Sequence, residues 1–247
     1  MKATDAGLRG EQVEGRRAVL ELLRAQRRPV RTVHLSRTVE RDAVVDEIVE
    51  RAGGRLHLVA PERLASMARS DAHQGVVATA GPLPSVDVDV LLDGSDAFLV
   101  ALDGVTDPRN LGAVLRCAET AGATGVVLPR HRSARVTPAV TKAAAGAIEY
   151  LPIASVAGIP AMLDRASRKG VWSVGLDEDG SQSLFDLNLT DQPIVLVLGA
   201  EGRGLARLTR DRCDVLAHIP MRGRVASLNV AAAAALACHE VARHRSV

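Results

Sequence analysis

The chain has 247 residues, 47% of them apolar, with 31 Lys/Arg against 29 Asp/Glu and a formal charge of +2. This balance excludes wholesale disorder and predicts no polyanion partner from net charge alone. Only four aromatics occur (Phe98, Tyr150, Trp172, Phe185), which argues against surface base-stacking platforms.

Residues 1–12 are polar and glycine-punctuated and read as a poorly ordered tail. From Gly15 the pattern turns helical, with Val19, Leu22 and Leu23 at i, i+3, i+4. Then come a strand over 32–35, a helix over 40–52 ended by Gly53-Gly54, a strand over 56–59, a helix over 61–68 and a strand over 75–80. Together, residues 13–80 form a small α/β unit. Gly81 to Gly94, with Pro82 and Pro84, reads as a linker over 81–95 or as a segment leading into the next unit.

The second unit, residues 96–247, alternates strongly. Strands are expected over 97–102, 125–128, 150–154, 171–175, 194–198 and 215–219. Helices are expected over 108–121, 138–146, 158–168, 204–211 and 227–244. Strands separated by helices imply a parallel sheet covered on both faces.

Three stretches carry polar or glycine residues where strands end and helices begin, the place α/β folds reserve for ligands. In Asp107-Pro-Arg-Asn-Leu-Gly-Ala-Val-Leu-Arg116, Asp107 is a good N-cap and Pro108 suits the first helical position. Leu111, Val114, Leu115 and Ala118 form the core stripe. Arg116 lies opposite, one turn above Gly112, where backbone is expected to be uncovered, and Asn110 stands in the first turn. Taken alone, this is also what a capped helix with a solvent-facing arginine looks like.

In Leu198-Gly-Ala-Glu-Gly-Arg-Gly204 the spacing is G-x-x-G-x-G, unlike the dinucleotide fingerprint. Glu201 places a carboxylate where a pyrophosphate needs donors. Such a turn suits a ligand that is uncharged or cationic at this end. The third stretch ends a strand at Ile219-Pro-Met221, loops through Arg222-Gly-Arg224 and starts a helix at Ser227, a natural N-cap. Asn229 is a poor helix former beside an already capped position. Pro220 and Met221 can pack an adenine face, and Arg222 and Arg224 can reach phosphate.

Basic residues cluster twice. Arg24, Arg27, Arg28 and Arg31 form either a solvated helix end or a phosphate-contacting edge. Arg130, Arg132, Arg135 and Lys142 follow a strand end, and an RNA-backbone loop is favoured over a solvated one. Cys117, Cys213 and Cys238 are odd in number with no C-x-x-C, so neither disulfides nor zinc are implied and a reducing cytosol fits. His131, His218 and His239 lack metal-ligand spacing, so no metal is expected. There is no signal pattern and no apolar run near the ~20 residues of a membrane span, so a cytoplasmic protein is expected.

Taken together, Asn110…Arg116…Gly122, Gly199-x-Glu201-Gly202 and Ile219-Pro-Met221…Ser227-Leu-Asn-Val230 resemble the motif set of the SpoU/TrmH branch of the SPOUT RNA methyltransferases. Gly15-x-x-Ala-Val19 and His73-Gln-Gly-Val76 resemble the small L30e-like RNA-binding domain that precedes the catalytic domain in one subgroup. Arg17 replaces the histidine usual there, and Ala226 and Ala231 replace serines.

The resemblance implies a trefoil-knotted parallel-sheet domain, a homodimer, and ribose 2′-O-methyl transfer to RNA, with a guanosine of 23S rRNA as the expected target. S-adenosylmethionine would be held around Leu198, Gly199, Gly202, Ile219, Pro220, Met221 and Leu228. Asn110, Arg116, Glu201, Ser227 and Asn229 would form the catalytic network. Arg17, Arg28, Arg130, Arg132, Arg135, Lys142, Arg222 and Arg224 are the expected RNA contacts. The same transfer to tRNA or to an antibiotic-resistance site of rRNA, and a non-catalytic rRNA-binding role, are the competing readings.

Overall fold

The structure is a computed structural model and describes residues 8–70, 73–131, 133–187, 192–224 and 227–245. Two sheets organise it. The first has four strands, β1 (Gln12–Glu14), β2 (Val30–Ser36), β3 (Leu56–Val59) and β4 (Val76–Ala80), in the order β1-β4-β2-β3. Helices α1 (Arg16–Ala25), α2 (Ala43–Ala52) and α3 (Pro61–Met67) connect them. The α1 face bearing Val19, Leu22 and Leu23 meets Val33, Leu35 and Ala78 in a closed core, as its helical spacing requires. Asp42 caps α2 by accepting from the Val45 N–H at 2.8 Å.

The second sheet has eight strands, all parallel. They are β5 (Ser85–Val86), β6 (Phe98–Asp103), β7 (Gly125–Pro129), β8 (Ile153–Val156), β9 (Trp172–Leu176), β10 (Gln182–Ser183), β11 (Ile194–Gly199) and β12 (Val215–His218). Their order is β10-β12-β9-β11-β6-β7-β8-β5. The remaining helices are α4 (Val88–Leu92), α5 (Pro108–Thr120), α6 (Pro138–Ala143), α7 (Ile159–Arg168), α8 (Arg207–Arg210) and α9 (Val230–Arg245).

Alternation along β6 and β11 divides the interior. Phe98, Val100, Leu102 and Leu196 pack with α5 and α9, whereas Leu99, Ala101, Val195 and Val197 pack with α4 and α7. At about 25 cal/mol per Å² of apolar surface, two covered faces supply the dominant favourable free energy of this unit.

Several expectations change. The segment 81–95 is not a bare linker: β5 pairs with β8, and α4 buries Val88, Leu91 and Leu92. Residues 1–7 of the expected tail lie outside the described residues. Leu8 and Arg9 are tied down, with the Leu8 N–H donating to the Leu83 carbonyl at 3.0 Å and Arg9 bridging to Val136. The strand expected from residue 150 starts at Ile153, because a 3₁₀ turn occupies Ala147–Glu149.

Arg28 is also corrected. It is not an RNA-facing residue but a buried clamp between the two units. Its guanidinium donates to both Glu149 carboxylate oxygens (2.9 and 2.6 Å) and to the carbonyls of Gly10 and Gly81, each at 2.7 Å. A guanidinium whose Nε, Nη1 and Nη2 groups all donate inside the protein has no edge to offer phosphate. Neighbouring cations are engaged too: Arg24 pairs with Glu21 and Glu47, and Arg27 donates to the Leu151 carbonyl at 2.6 Å.

Candidate active site at the strand ends

From β6 the chain runs outward through β7 and β8, then crosses the sheet to β9. β11 is afterwards inserted between β6 and β9. The carboxyl ends of β9, β11 and β12 bound a cleft of about 270 Å³, at the kind of reversal where open α/β sheets bind ligands.

The turn after β11 forms one wall, and backbone contact shapes it. A Cβ on Gly199 would stand 2.2 Å from the Gly204 carbonyl carbon, so only glycine fits. Ala200 and Gly204 exchange N–H···O bonds of 3.0 and 2.9 Å, and Gly202 and Gly204 take φ of +71° and +61°. The closed turn holds Glu201 at its tip.

Glu201 is the hub of three loops. Its Oε1 accepts from Asn110 Nδ2 at 2.5 Å and from Asn229 Nδ2 at 2.7 Å, and Asn229 Nδ2 also reaches Asn110 Oδ1 at 3.2 Å. Asp107 caps α5 through the Arg109 N–H (2.7 Å), which sets Asn110 in the first turn. Oε2 of Glu201 has no partner among the described residues, so one acceptor stays open at the cleft.

Asn229 does two jobs. Its Oδ1 accepts from the Ala231 N–H at 2.8 Å while its carbonyl accepts from Ala233. Asn229 is therefore the N-cap of α9, and the assignment of that cap to Ser227 is corrected. Ser227 is exposed and lines the cleft.

Arg116 is exposed on α5, outside this triangle, and its guanidinium has no partner among the described residues. The backbone beneath it is not uncovered. Gly112 is buried against α6, and a Cβ there would lie 2.5 Å from that of Ala143. The glycine permits helix packing rather than ligand approach.

Leu198, Gly199, Gly202, Ile219, Met221 and Leu228 line the cleft, whereas Pro220 is outside the lining. The thiols are poor nucleophiles, since burial pushes Cys213 and Cys238 up to about 12 and also raises Cys117. Among the described residues no group of three His, Cys, Asp or Glu could hold a metal ion. No helix among them is long and apolar enough to cross a membrane.

Residues 97–239 match the SpoU rRNA Methylase family, and residues 12–86 match the RNA 2′-O ribose methyltransferase substrate-binding domain. The chain belongs to the SpoU rRNA methylase family. It is 45% identical over 201 residues, 80% of each chain, to the 23S rRNA (guanosine-2′-O-)-methyltransferase RlmB of Ralstonia nicotianae. The RlmB of Pseudomonas putida is 37% identical over 243 residues, 96% of this chain and 98% of that one. Among solved structures, the SpoU methyltransferase AviRb of Streptomyces viridochromogenes in complex with AdoMet superposes with a TM-score of 0.79. It has 29% identity and the match covers 95% of this chain and 90% of that one. The AdoMet-bound rRNA methyltransferase of Sinorhizobium meliloti gives 0.78 at 26% identity, over 94% and 87%.

Sequence reasoning missed part of this SpoU-family cleft. Asp177 and Glu178, directly after β9, line it, as does Arg210 of α8. Asp177 is 4% exposed in its side chain and pairs with Arg210 at 3.1 Å. The signal was their place at a strand end, the same rule that singled out the other loops. Of the expected RNA contacts, Arg17, Arg130, Arg135, Arg222 and Arg224 are exposed and Lys142 is half-buried, none with a partner among the described residues. Arg132 lies outside the described residues.

Proposed function

We propose that this SpoU-family chain transfers a methyl group from S-adenosylmethionine to the ribose 2′-hydroxyl of a guanosine in 23S rRNA. The observation that carries the reading is the junction of Asn110, Glu201 and Asn229, three loops meeting on one carboxylate oxygen at the mouth of the cleft. The substrate is supported by the RlmB relatives, which match 80% and 96% of the chain.

The residues present fit the cofactor. Leu198, Ile219, Met221 and Leu228 offer apolar surface for an adenine ring, while Glu178 and Glu201 supply carboxylates suited to a cationic ligand, Asp177 being paired with Arg210. When bound, S-adenosylmethionine supplies an electrophilic methyl group on a good leaving group. The protein's task is then to aim a hydroxyl and ease loss of its proton. Glu201 is held by two amides and keeps Oε2 open to a donor. Arg116 carries a free guanidinium fork that matches a phosphate. A guanidinium offers donors and no acceptor, so its part is orientation. Ser227 and Asn229 complete the hydrogen-bonding set.

In the same reading, residues 13–80 bind RNA, residues 96–247 catalyse, and the insertion of β11 between β6 and β9 belongs to a trefoil-knotted path. The chain works in the cytoplasm as a homodimer, with exposed Met221 and Leu228 at the cleft mouth supporting cover by a second copy.

The test is ribose-methylation mapping of total RNA from a deletion strain against wild type. The expected result is loss of one guanosine 2′-O-methyl in 23S rRNA. A purified chain that labels no RNA with a radioactive methyl donor sinks the reading.

A further inference from the structure

We propose that a hollow at the carboxyl ends of β7 and β8 is a phosphodiester subsite for the RNA strand flanking the methylated nucleotide, completed by Arg9 from the N-terminal segment. The inference rests on the RNA-methyltransferase reading and extends it to a place outside the cofactor cleft.

The hollow measures about 190 Å³, and Arg9, Arg130 and Arg135 line it with the hydroxyl-bearing Ser133 and Ser155. No carboxylate is among its lining residues, and none of the three guanidiniums has a partner among the described residues. Elsewhere this chain pairs arginines readily, as at Arg24, Arg28, Arg165 and Arg210. All three arginines are exposed, so they can stay charged and hydrated until an anion enters the concavity they line. Their planar forks match phosphate oxygens.

Arg9 is placed there by the fold rather than left on a loose end. It holds a left-handed backbone, φ +67°, which residues with a side chain rarely adopt. The Leu83 N–H donates to its carbonyl at 2.9 Å, and the bridge to Val136 sets it beside the 130–135 loop. That loop is tied in turn to the β6–α5 connection that leads into Asn110, because the Ala134 N–H donates to the Val105 carbonyl at 2.9 Å. The hollow at β7 and β8 lies two to three strand spacings from β11, whose turn carries Glu201, roughly 10–15 Å along the same edge of the sheet. One RNA strand thus reaches both places, with its target ribose at the Glu201 junction and a neighbouring phosphate in the hollow.

The experiment measures affinity of the full chain for an unmodified 23S rRNA transcript as a function of salt. The triple variant R9Q/R130Q/R135Q is expected to bind at least roughly 10-fold more weakly. Its plot of log affinity against log salt should flatten by about 0.7 for each phosphate no longer neutralised. Calorimetric affinity for S-adenosylmethionine should stay at the wild-type value. Ser133→Glu, which adds a carboxylate to the wall without removing an arginine, should weaken RNA binding with an unchanged melting temperature.

Inorganic phosphate at constant ionic strength should displace RNA no better than chloride; displacement at micromolar phosphate overturns RNA as the occupant. Wild-type affinity and slope in both variants, with methyl transfer by the wild type intact, overturns the subsite alone. Weakened binding in both variants of a chain whose wild type methylates nothing supports the subsite and sinks the proposed function.

Discussion

Arg28 and Glu149, one from each unit, meet in a two-pronged ion pair with side chains 2% and 1% exposed. Each would be a desolvated lone charge without the other. Arg28→Met should therefore destabilise the protein by about 3–5 kcal/mol, because it strands a buried carboxylate. Arg28→Met combined with Glu149→Leu should recover most of that loss. Denaturant titration of the two variants checks this, and equal losses in single and double variants contradict it.

Tyr150 stands next to that clamp and donates from its phenol to Glu21 across the same junction at 2.7 Å. Burial first, and then the hydrogen bond to the Glu21 carboxylate, push its pKa up to about 12. A raised folded-state value means the neutral phenol is favoured by folding. Its stabilisation is complete below the unfolded value near 10 and disappears as pH rises towards about 12. Melting temperature should thus fall more steeply across pH 10 to 12 in the wild type than in Tyr150→Phe.

Asn229 ties the start of α9 to Glu201, so two substitutions separate its roles. Asn229→Asp keeps an oxygen for the Ala231 N–H and should preserve stability. It sets a second carboxylate against Glu201, and methyl transfer should drop roughly 100-fold. Asn229→Ala should lose the cap as well, about 1 kcal/mol. An active Asn229→Asp enzyme contradicts this account of the junction.

Arg116→Lys keeps the charge and removes the fork. With no protein partner to lose, stability and S-adenosylmethionine affinity should be unchanged. Transfer at neutral pH should fall roughly 10- to 100-fold. Near-normal turnover by the lysine variant shows that forked geometry is unnecessary.

Gly199→Ala tests the turn itself. Its methyl would collide with the Gly204 backbone, 2.2–2.4 Å away. The Ala200–Gly204 pairing must open, and calorimetry should register severe loss of S-adenosylmethionine binding while the circular dichroism of the folded chain persists.

The strands that carry the site were legible because β6 and β11 are unbroken apolar runs, buried from both sides. By contrast, β5 and β10 are two-residue pairings whose partners, β8 and β12, lie far along the chain, so no local pattern announces them. Glu201, Asn110 and Asn229 stood out as polar residues at element ends. Asp177 and Glu178 did not, because acidic residues after a strand also make an ordinary solvent turn. Arg28 was misread for a related reason: four arginines in eight positions are visible locally, but the carboxylate that neutralises one of them is 121 residues away.

β11 enters the sheet between two strands that precede it in the chain. A nascent polypeptide has β6 and β9 outside the ribosome before their shared neighbour exists, and pairing them early would shut the slot. Such long-range insertion makes folding slow and leaves hydrophobic edges waiting. Arrival of that strand also delivers the turn bearing Glu201. A nascent chain that stops after this turn has Glu201 but still lacks Asn229, so the three-way junction exists only once the start of α9 has been made as well.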